Sequence, residues 1–367
     1  MEINGLVKSD KRADEEIIEQ IKENGLPVYI YGCGNCGKAL FDFLKAYGVA
    51  ATAFVVDDEY CIEEQCKGIE IKKLSEIKKK NMSKNLLIGF SDFAYGISRI
   101  SKMHDLTNIF CISNPYLYLQ KYDIKWDFVE KNMEKIDETL NFLEDSLSKK
   151  IMVAYLNTRI NRDYKFLMPY SGCKTYFNKE IVGLSDNECY VDCGAADGDS
   201  IESFIESVDG HYHKIYAIEP EEKNFCLLKK KYLTEKGSKI CLINKGVWRE
   251  RGQLFFAKEG SQEFSASNEC MENQQSVHVD SLDNILDGER VSFLKLSVQG
   301  LEADALLGAR KILKRWEPTL AITIFMKPDA LITIPQIIKQ INARYKFYIR
   351  CGEPFFARVI LYAKVTK

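Results

Sequence analysis

The sequence has no excess of charge of either sign and no long apolar run. Its 367 residues contain 51 Lys and Arg against 53 Asp and Glu, a formal net charge of −2. Because no broad field would attract nucleic acid or an anionic membrane, we expect a small or neutral substrate and no nucleic-acid partner. No apolar run approaches the roughly 20 residues that a membrane-spanning helix needs, so no membrane span is expected.

The sequence also opens without a basic segment followed by an apolar core. This predicts a cytoplasmic protein without a secretory signal. The 12 Cys are scattered through apolar runs, as is typical of buried reduced thiols. Cys33 and Cys36 form a Cys-x-x-Cys pair, but no second Cys or His pair completes a zinc site, so no metal is expected. Redox chemistry fits that spacing, although small residues filling a glycine turn are the favoured interpretation.

What the sequence does contain is two glycine-bearing turns, each after a short apolar strand. The first is Gly32-Cys-Gly34-Asn-Cys-Gly37, between a strand that begins near Pro27 and a helix. Asp57 ends the next apolar strand, 20 residues past Gly37, where dinucleotide-binding folds place a ribose-binding carboxylate. Gly32, Gly34, Gly37 and Asp57 are a candidate second nucleotide site, in addition to the one in the later part of the chain. A scaffold turn that binds nothing is the alternative.

The second turn follows the apolar run Tyr190-Val-Asp192 and continues to Ser200. Gly194 and Gly198 would let the backbone approach a ligand closely. Ser200 is expected to cap the following helix. The next apolar strand ends in Glu219, 25 residues beyond Gly194, where an acidic side chain can accept both ribose hydroxyls.

The order and spacing of four motifs resemble those of an FkbM-type S-adenosylmethionine-dependent methyltransferase, over roughly residues 170 to 367. The motifs are Asp192-x-Gly194 to Ser200, Ile218-Glu219-Pro220, Asn244-Lys-Gly-Val-Trp248 and Leu294-Lys295 to Ala309. The resemblance implies S-adenosylmethionine as cofactor and O-methylation of a sugar or polysaccharide precursor in carbohydrate biosynthesis. It implies cofactor binding by Asp192, Gly194, Ala195, Asp197, Gly198, Glu219, Pro220, Gly246 and Val247.

The chain departs from this family where acceptor chemistry is expected. The family usually has acidic residues where Ser297 and Gln299 stand, and commonly a histidine where Met326 stands. Serine and glutamine hydrogen-bond but are poor bases near neutral pH. Ser297 and Gln299 are nevertheless the candidate catalytic residues. The polar run 260–273 is expected to be a loop that closes over the substrate.

We therefore expect an α/β protein with two Rossmann-like domains. Residues 1–120 form a nucleotide-binding-like domain, 121–165 a helical connector and 166–367 the methyltransferase domain. The first resembles the small Rossmann-type domain in front of some sugar-modifying enzymes, which implies NAD or a nucleotide-sugar as a second ligand. Arg159 and Arg162, near the end of the connector, are expected on a solvated helix face, with binding of a substrate phosphate or carboxylate as the alternative.

Two alternatives to methyl transfer stay open. One is a degenerate methyltransferase fold that binds a nucleoside ligand or a partner. The other is a nucleotide-sugar-processing enzyme whose site lies in the amino-terminal domain. A homo-oligomer is also left open.

Overall fold

The structure is a computed structural model of the chain. It describes residues 5–7, 12–60, 63–79, 82–90, 99–100, 107–112, 124–172, 176–232, 239–257, 274–352 and 358–366. The predicted loop 260–273 lies outside these ranges. None of the helices in them has the length and hydropathy of a membrane-spanning segment.

The first part of the chain folds around a six-stranded sheet. Its strands are β1 (Val28–Tyr31), β2 (Ala53–Val56), β3 (Gln65–Cys66), β4 (Ile69–Lys73), β5 (Lys84–Ile88) and β6 (Thr107–Phe110), in the order β3-β4-β2-β1-β5-β6. All neighbours are parallel except β3 and β4. Its helices are α1 (Ala13–Asn24), α2 (Asn35–Ala46) and α3 (Leu74–Lys79). Gly25, which is left-handed (φ 60°), ends α1.

Three helices follow where the sequence predicts one long connector helix: α4 (Trp126–Lys131), α5 (Met133–Phe142) and α6 (Ser146–Asn161). The break before α6 has a local cause. Leu143 leaves the helix to pair with Phe347, and Glu144 donates its N–H to the Phe347 carbonyl at 3.0 Å. Asp145 then restarts the helix by accepting the Ser148 N–H at 2.6 Å.

The last part of the chain folds around a seven-stranded sheet, in the order β15-β16-β14-β13-β7-β8-β9. Its strands are β7 (Cys189–Cys193), β8 (Lys214–Ile218), β9 (Ile240–Ile243), β13 (Phe293–Leu296), β14 (Thr319–Thr323), β15 (Lys346–Cys351) and β16 (Val359–Lys364). The five from β9 to β14 are parallel, and β16 is antiparallel to both its neighbours. A separate small sheet has the order β10-β12-β11, with β10 (Gly246–Val247), β11 (Gly252–Ala257) and β12 (Gln274–Asp280).

The helices of this part are α7 (Asp199–Ser207), α8 (Glu222–Tyr232), α9 (Leu282–Ile285), α10 (Glu302–Leu307), α11 (Arg310–Arg315) and α12 (Ala330–Ile341). Strand order reverses between β7 and β13, because the chain runs outward to β8 and β9 and then returns to the other side of β7. Open α/β sheets bind ligands at the carboxyl edge of such a switch point. The expected α/β architecture with two parallel-rich sheets is confirmed, whereas the boundaries at 120 and 165 stay a prediction.

Arg159 and Arg162 are buried, with 1% and 8% of their surface exposed, so the expectation of a solvated face was wrong. Arg159 Nη1 donates to the Tyr155 hydroxyl at 2.6 Å and to the Phe325 carbonyl at 2.7 Å. Arg162 pairs with the buried Asp14 of α1 at 2.6 Å. The reason is that the end of α6 is enclosed by other elements, so both arginines bind internal partners.

Candidate active site

The carboxyl ends of β7 and β8 meet, as the two motifs predict. The N–H groups of Gly194 and Ala195 both donate to the Ile218 carbonyl, at 2.9 and 3.2 Å. Gly194 has φ +80°, and a Cβ there would collide with the Ser297 carbonyl oxygen. The turn after β7 is therefore wrapped over the end of β8 and pressed against the end of β13, at a place where only glycine fits.

Glu219 lies between the turns that follow β7 and β8. Its carboxylate accepts the Ala196 N–H through Oε2 and the Glu221 N–H through Oε1, each at 2.9 Å. It is 5% exposed and forms no ion pair with any described residue. Burial raises the pKa of Glu219 in spite of these two N–H donors. Each carboxylate oxygen has a second lone pair, so the side chain can still accept hydroxyl hydrogens.

Asp192 lies beneath the same turn in a buried ion pair. Its Oδ1 is 2.8 Å from Lys295 Nζ, and the two side chains are 0% and 4% exposed. Lys295 Nζ also donates to the Gly194 carbonyl at 2.7 Å. Burial lowers the pKa of Lys295, but the Asp192 carboxylate outweighs it and the pKa is raised. This pair ties the middle of the sheet to the backbone of the glycine turn.

The second oxygen of Asp192 accepts two hydroxyl groups. Tyr190 donates at 2.9 Å and Ser200 at 2.5 Å. The expectation that Ser200 caps the next helix was wrong. Helix α7 begins at Asp199, so Ser200 lies inside it, and the N-cap is Gly198. The Ser200 hydroxyl instead fastens the first turn of α7 to Asp192. Through its contacts with Lys295, Tyr190 and Ser200, Asp192 therefore holds the turn after β7 in place.

The two candidate catalytic residues lie after β13, on the other side of β7. Ser297 is half-buried, and its N–H donates to the Cys193 carbonyl at 3.1 Å. Gln299 is exposed and left-handed, with φ +53°. A non-glycine residue in this conformation is uncommon and needs support from its surroundings.

That support comes from Glu302 at the start of α10. Its Oε1 accepts the N–H groups of Val298 and Gly300 at 2.9 and 3.2 Å, and the Thr323 hydroxyl at 3.2 Å. Glu302 is 2% exposed, and burial raises its pKa in spite of these donors. The Glu302 carboxylate therefore faces inward and fixes the turn that presents Gln299.

Met326 is half-buried in the loop after β14, and Lys327 beside it is exposed. A Cβ on Gly300 would lie 3.3 Å from Lys327 Cε and 3.5 Å from its Cγ, so the lysine side chain runs across this glycine. The loops after β8, β7, β13 and β14 consequently contact one another in that order. Within the described ranges, no group of three or more His, Cys, Asp or Glu could hold a metal.

The remaining predicted cofactor residues differ from one another in exposure. Asp197 is exposed, and Pro220 is half-buried next to Glu219. Gly246 and Val247 are buried, paired through β10 with β12, and a Cβ on Gly246 would lie 2.8 Å from a Val279 methyl group. Packing alone therefore accounts for the glycine at 246.

In the first sheet, packing accounts for two glycines of the predicted nucleotide turn. A Cβ on Gly37 would collide with the Gly32 carbonyl, and one on Gly32 would lie 2.8 Å from the Gly89 carbonyl oxygen. Gly34 differs, because a Cβ there meets no atom of the described residues within 4 Å. Within the part of the chain that the structure describes, Gly34 therefore has open space beside it, where a ligand could approach.

Asp57 lies just after β2, where the sequence places it, and is 2% exposed. Its Oδ1 accepts the Tyr31 hydroxyl at 2.8 Å and pairs with Arg99 at 3.0 Å. This contact gives the carboxylate a structural partner. Nucleotide binding at Gly32, Gly34, Gly37 and Asp57 stays a prediction.

The two thiols of the Cys-x-x-Cys motif both have raised pKa values. Burial, together with the neighbouring Cys66 thiol, raises the pKa of Cys33 to about 12. Cys36 is buried and its pKa is raised by burial. Because the thiolate is the reactive form, both thiols are poorly suited to redox catalysis.

Sequence reasoning missed the roles of Lys295 and Glu302, and the placement of Tyr176. A signal for Lys295 existed: it is a charge inside an apolar strand, and its register partner is Asp192. Tyr176 has its ring 5.2 Å from Lys295 Nζ, which places the segment before β7 over the buried ion pair. No local signal indicated that contact.

Several solved structures are similar to this chain. A crystal structure of the methyltransferase FkbM from Methylobacillus flagellatus KT superposes with a TM-score of 0.70 and 20% identity, covering 96% of this chain and 94% of that chain. An rRNA methylase from Streptococcus thermophilus covers 50% of this chain and 90% of its own, with 17% identity and a TM-score of 0.32. A Streptococcus mutans methyltransferase in complex with SAH covers 52% and 94%, with 15% identity and a TM-score of 0.32. No curated protein matches the chain.

The fold and the crevice define a Rossmann-like α/β methyltransferase architecture, and the similarity to the Methylobacillus structure extends over both sheets. Residues 192–347 match the family described as the Methyltransferase FkbM domain. For these residues, the match confirms the resemblance to the FkbM family seen in the sequence.

Proposed function

We propose that the chain transfers a methyl group from S-adenosylmethionine to a hydroxyl of a sugar or polysaccharide precursor. One observation carries the proposal: Glu219 lies between two strand-end turns that meet, it forms no ion pair with the described residues, and its carboxylate has lone pairs left for ribose. Glu219 would hold the ribose hydroxyls, while Gly194 lets the nucleoside approach its backbone. S-adenosylmethionine supplies the electrophilic methyl group when bound.

Ser297 and Gln299 would act by positioning the acceptor. The Ser297 hydroxyl and the Gln299 amide can orient an acceptor hydroxyl by hydrogen bonding, but neither takes a proton well near neutral pH. Proximity and orientation alone can account for a large part of a transfer barrier. The acceptor proton would then leave to water or to another residue.

Titration calorimetry with S-adenosylmethionine tests cofactor binding. We expect the wild-type protein to bind and Glu219→Ala to bind about tenfold more weakly or worse, because a charge-assisted contact is removed. Lys346→Met, which changes an exposed residue of β15, is the control and should bind like wild type. Absence of binding by the wild-type protein would refute the proposal.

A second function, binding without transfer, is favoured by the neutral side chains at 297 and 299. Transfer of labelled methyl from S-adenosylmethionine to a panel of sugars and nucleotide-linked sugars separates the two. The double variant Ser297→Asp with Gln299→Glu restores the acids usual in the family. If only this variant transfers methyl, the natural chain is a binder.

The predicted nucleotide site of the first sheet is tested with the same full-length protein. NAD and UDP-sugars are titrated against wild type and Gly34→Val. The side chain added at this position meets open space, so a loss of affinity would indicate a ligand at the turn. Equal affinities would exclude a site there for these ligands.

A further inference from the structure

The charge of the acceptor edge is unusual, because the family usually has acidic residues there and this chain has neutral residues and a lysine. The edge consists of the turn after β13, with Ser297 and Gln299, and the loop after β14, with Met326 and Lys327. The first two residues are neutral. The Lys327 side chain lies beside Gly300, because a Cβ added to this glycine would be 3.3 Å from Lys327 Cε, the carbon that carries the ammonium group.

The nearby carboxylates do not neutralise Lys327. Glu302 is buried beneath the turn and faces its backbone N–H groups. Asp192 is paired with Lys295, and Glu219 lies on the β8 side of β7. Asp329 is exposed two residues further along, yet within the described part of the chain Lys327 forms no ion pair with it or with any other acid.

Gln299 adds a second donor to the same edge. The Glu302 carboxylate holds both N–H groups that flank Gln299, so the left-handed turn presenting its side chain is held in place. A glutamine amide donates hydrogen bonds, whereas a glutamate at this position could only accept them and would repel an anion. An ammonium and an amide on neighbouring loops form a donor pair suited to an oxyanion.

We propose that the acceptor is a small sugar bearing one carboxylate or phosphate group near the methylated hydroxyl, and that Lys327 and Gln299 bind this group. The inference rests on the proposed methyl transfer and names its substrate class. A single local cation needs no field from the whole protein, so the assignment is compatible with the near-zero net charge. It also explains the neutral side chains of Ser297 and Gln299, because acidic residues at these positions would repel such an acceptor.

The test uses the full-length protein saturated with S-adenosylhomocysteine. Methyl glucuronoside, glucose 6-phosphate and methyl glucoside are titrated as the carboxylate, phosphate and neutral probes. We expect at least one charged probe to bind about ten- to a hundredfold more tightly than the neutral one, the range of a charge-assisted hydrogen bond. The carboxylate and phosphate arms show which oxyanion is preferred.

Three variants assign the preference to its residue. Lys327→Gln should remove the preference, Lys327→Arg should keep it, and Lys314→Gln, at an exposed position of α11, should leave it unchanged. All three should bind S-adenosylhomocysteine like wild type. A protein that does not bind S-adenosylhomocysteine overturns the proposed function itself. Normal S-adenosylhomocysteine binding, with neutral and charged probes equal or with the preference intact in Lys327→Gln, overturns this inference alone.

Discussion

Replacing Lys295 with Met should destabilise the protein strongly, because it leaves a buried carboxylate without its cation. Asp192 and Lys295 are 0% and 4% exposed, and their charged atoms are 2.8 Å apart. The substitution also removes the donor that reaches the Gly194 carbonyl at 2.7 Å. Methionine has a similar volume, so the cavity term is small and the change is mainly electrostatic.

The magnitude follows from burial. Removing one partner of a buried ion pair costs about 3–5 kcal/mol, because the remaining charge is uncompensated. The hydroxyls of Tyr190 and Ser200 still donate to Asp192 and favour the lower end of this range. We therefore expect a loss of about 3 kcal/mol in the free energy of unfolding, a large fraction of the stability of a typical domain.

Urea unfolding of wild type, Lys295→Met and Lys346→Met measures this loss. Lys346 is the matched control: its Nζ is 2.9 Å from the Glu144 carboxylate, but the two side chains are 46% and 36% exposed. An exposed pair is worth less than about 1 kcal/mol. A loss below 1 kcal/mol for Lys295→Met, or equal losses for the two variants, would refute the reasoning.

A double variant distinguishes charge from packing. When Asp192→Asn is added to Lys295→Met, the uncompensated charge disappears and most of the lost stability should return. The asparagine oxygen can still accept from Tyr190 and Ser200. A double variant that is less stable than Lys295→Met would show that the carboxylate itself holds the turn.

Three further predictions concern the strand-end turns. Gly194→Ala should lose about 2 kcal/mol or more and abolish S-adenosylmethionine binding, because φ is +80° and the new Cβ collides with the Ser297 carbonyl. Gly34→Ala should change stability by less than about 0.5 kcal/mol, since its Cβ meets open space; a larger loss in urea would contradict this. The stability of Glu219→Gln relative to wild type should be greater at pH 7 than at pH 4. The raised pKa of Glu219 means that its ionisation opposes folding, a cost that disappears as the pH falls below the unfolded value near about 4.3. A difference in urea midpoint between Glu219→Gln and wild type that does not change with pH would contradict this prediction.

The features that the sequence predicts well are local ones. The order of strands, turns and helices follows from short apolar runs that end in glycine or an acid, and the ends of β1, β2, β7 and β8 are where these signals place them. The meeting of Gly194 with the end of β8 also follows, because neighbouring parallel strands finish at one edge. The position of Glu219 beside the Gly194 turn could therefore be predicted from the sequence.

The features that it does not predict depend on partners distant in sequence. Arg159 reads as a surface residue until α6 is enclosed, and no local signal predicts the ion pair between Asp57 and Arg99, which lies 42 positions later. Glu302 holds the Gln299 turn through backbone groups that adopt their positions only in the folded loop. Charged side chains are thus the least predictable part of the site, because their role is set by tertiary contacts.

The crystal structure of the protein with S-adenosylhomocysteine is the most direct test of the central claim, that the crevice between the ends of β7 and β8 holds the nucleoside. We predict that both ribose hydroxyl oxygens lie within about 3 Å of the Glu219 carboxylate, with the nucleoside against the Gly194 turn. A nucleoside bound elsewhere, or one whose ribose does not contact Glu219, would contradict the account.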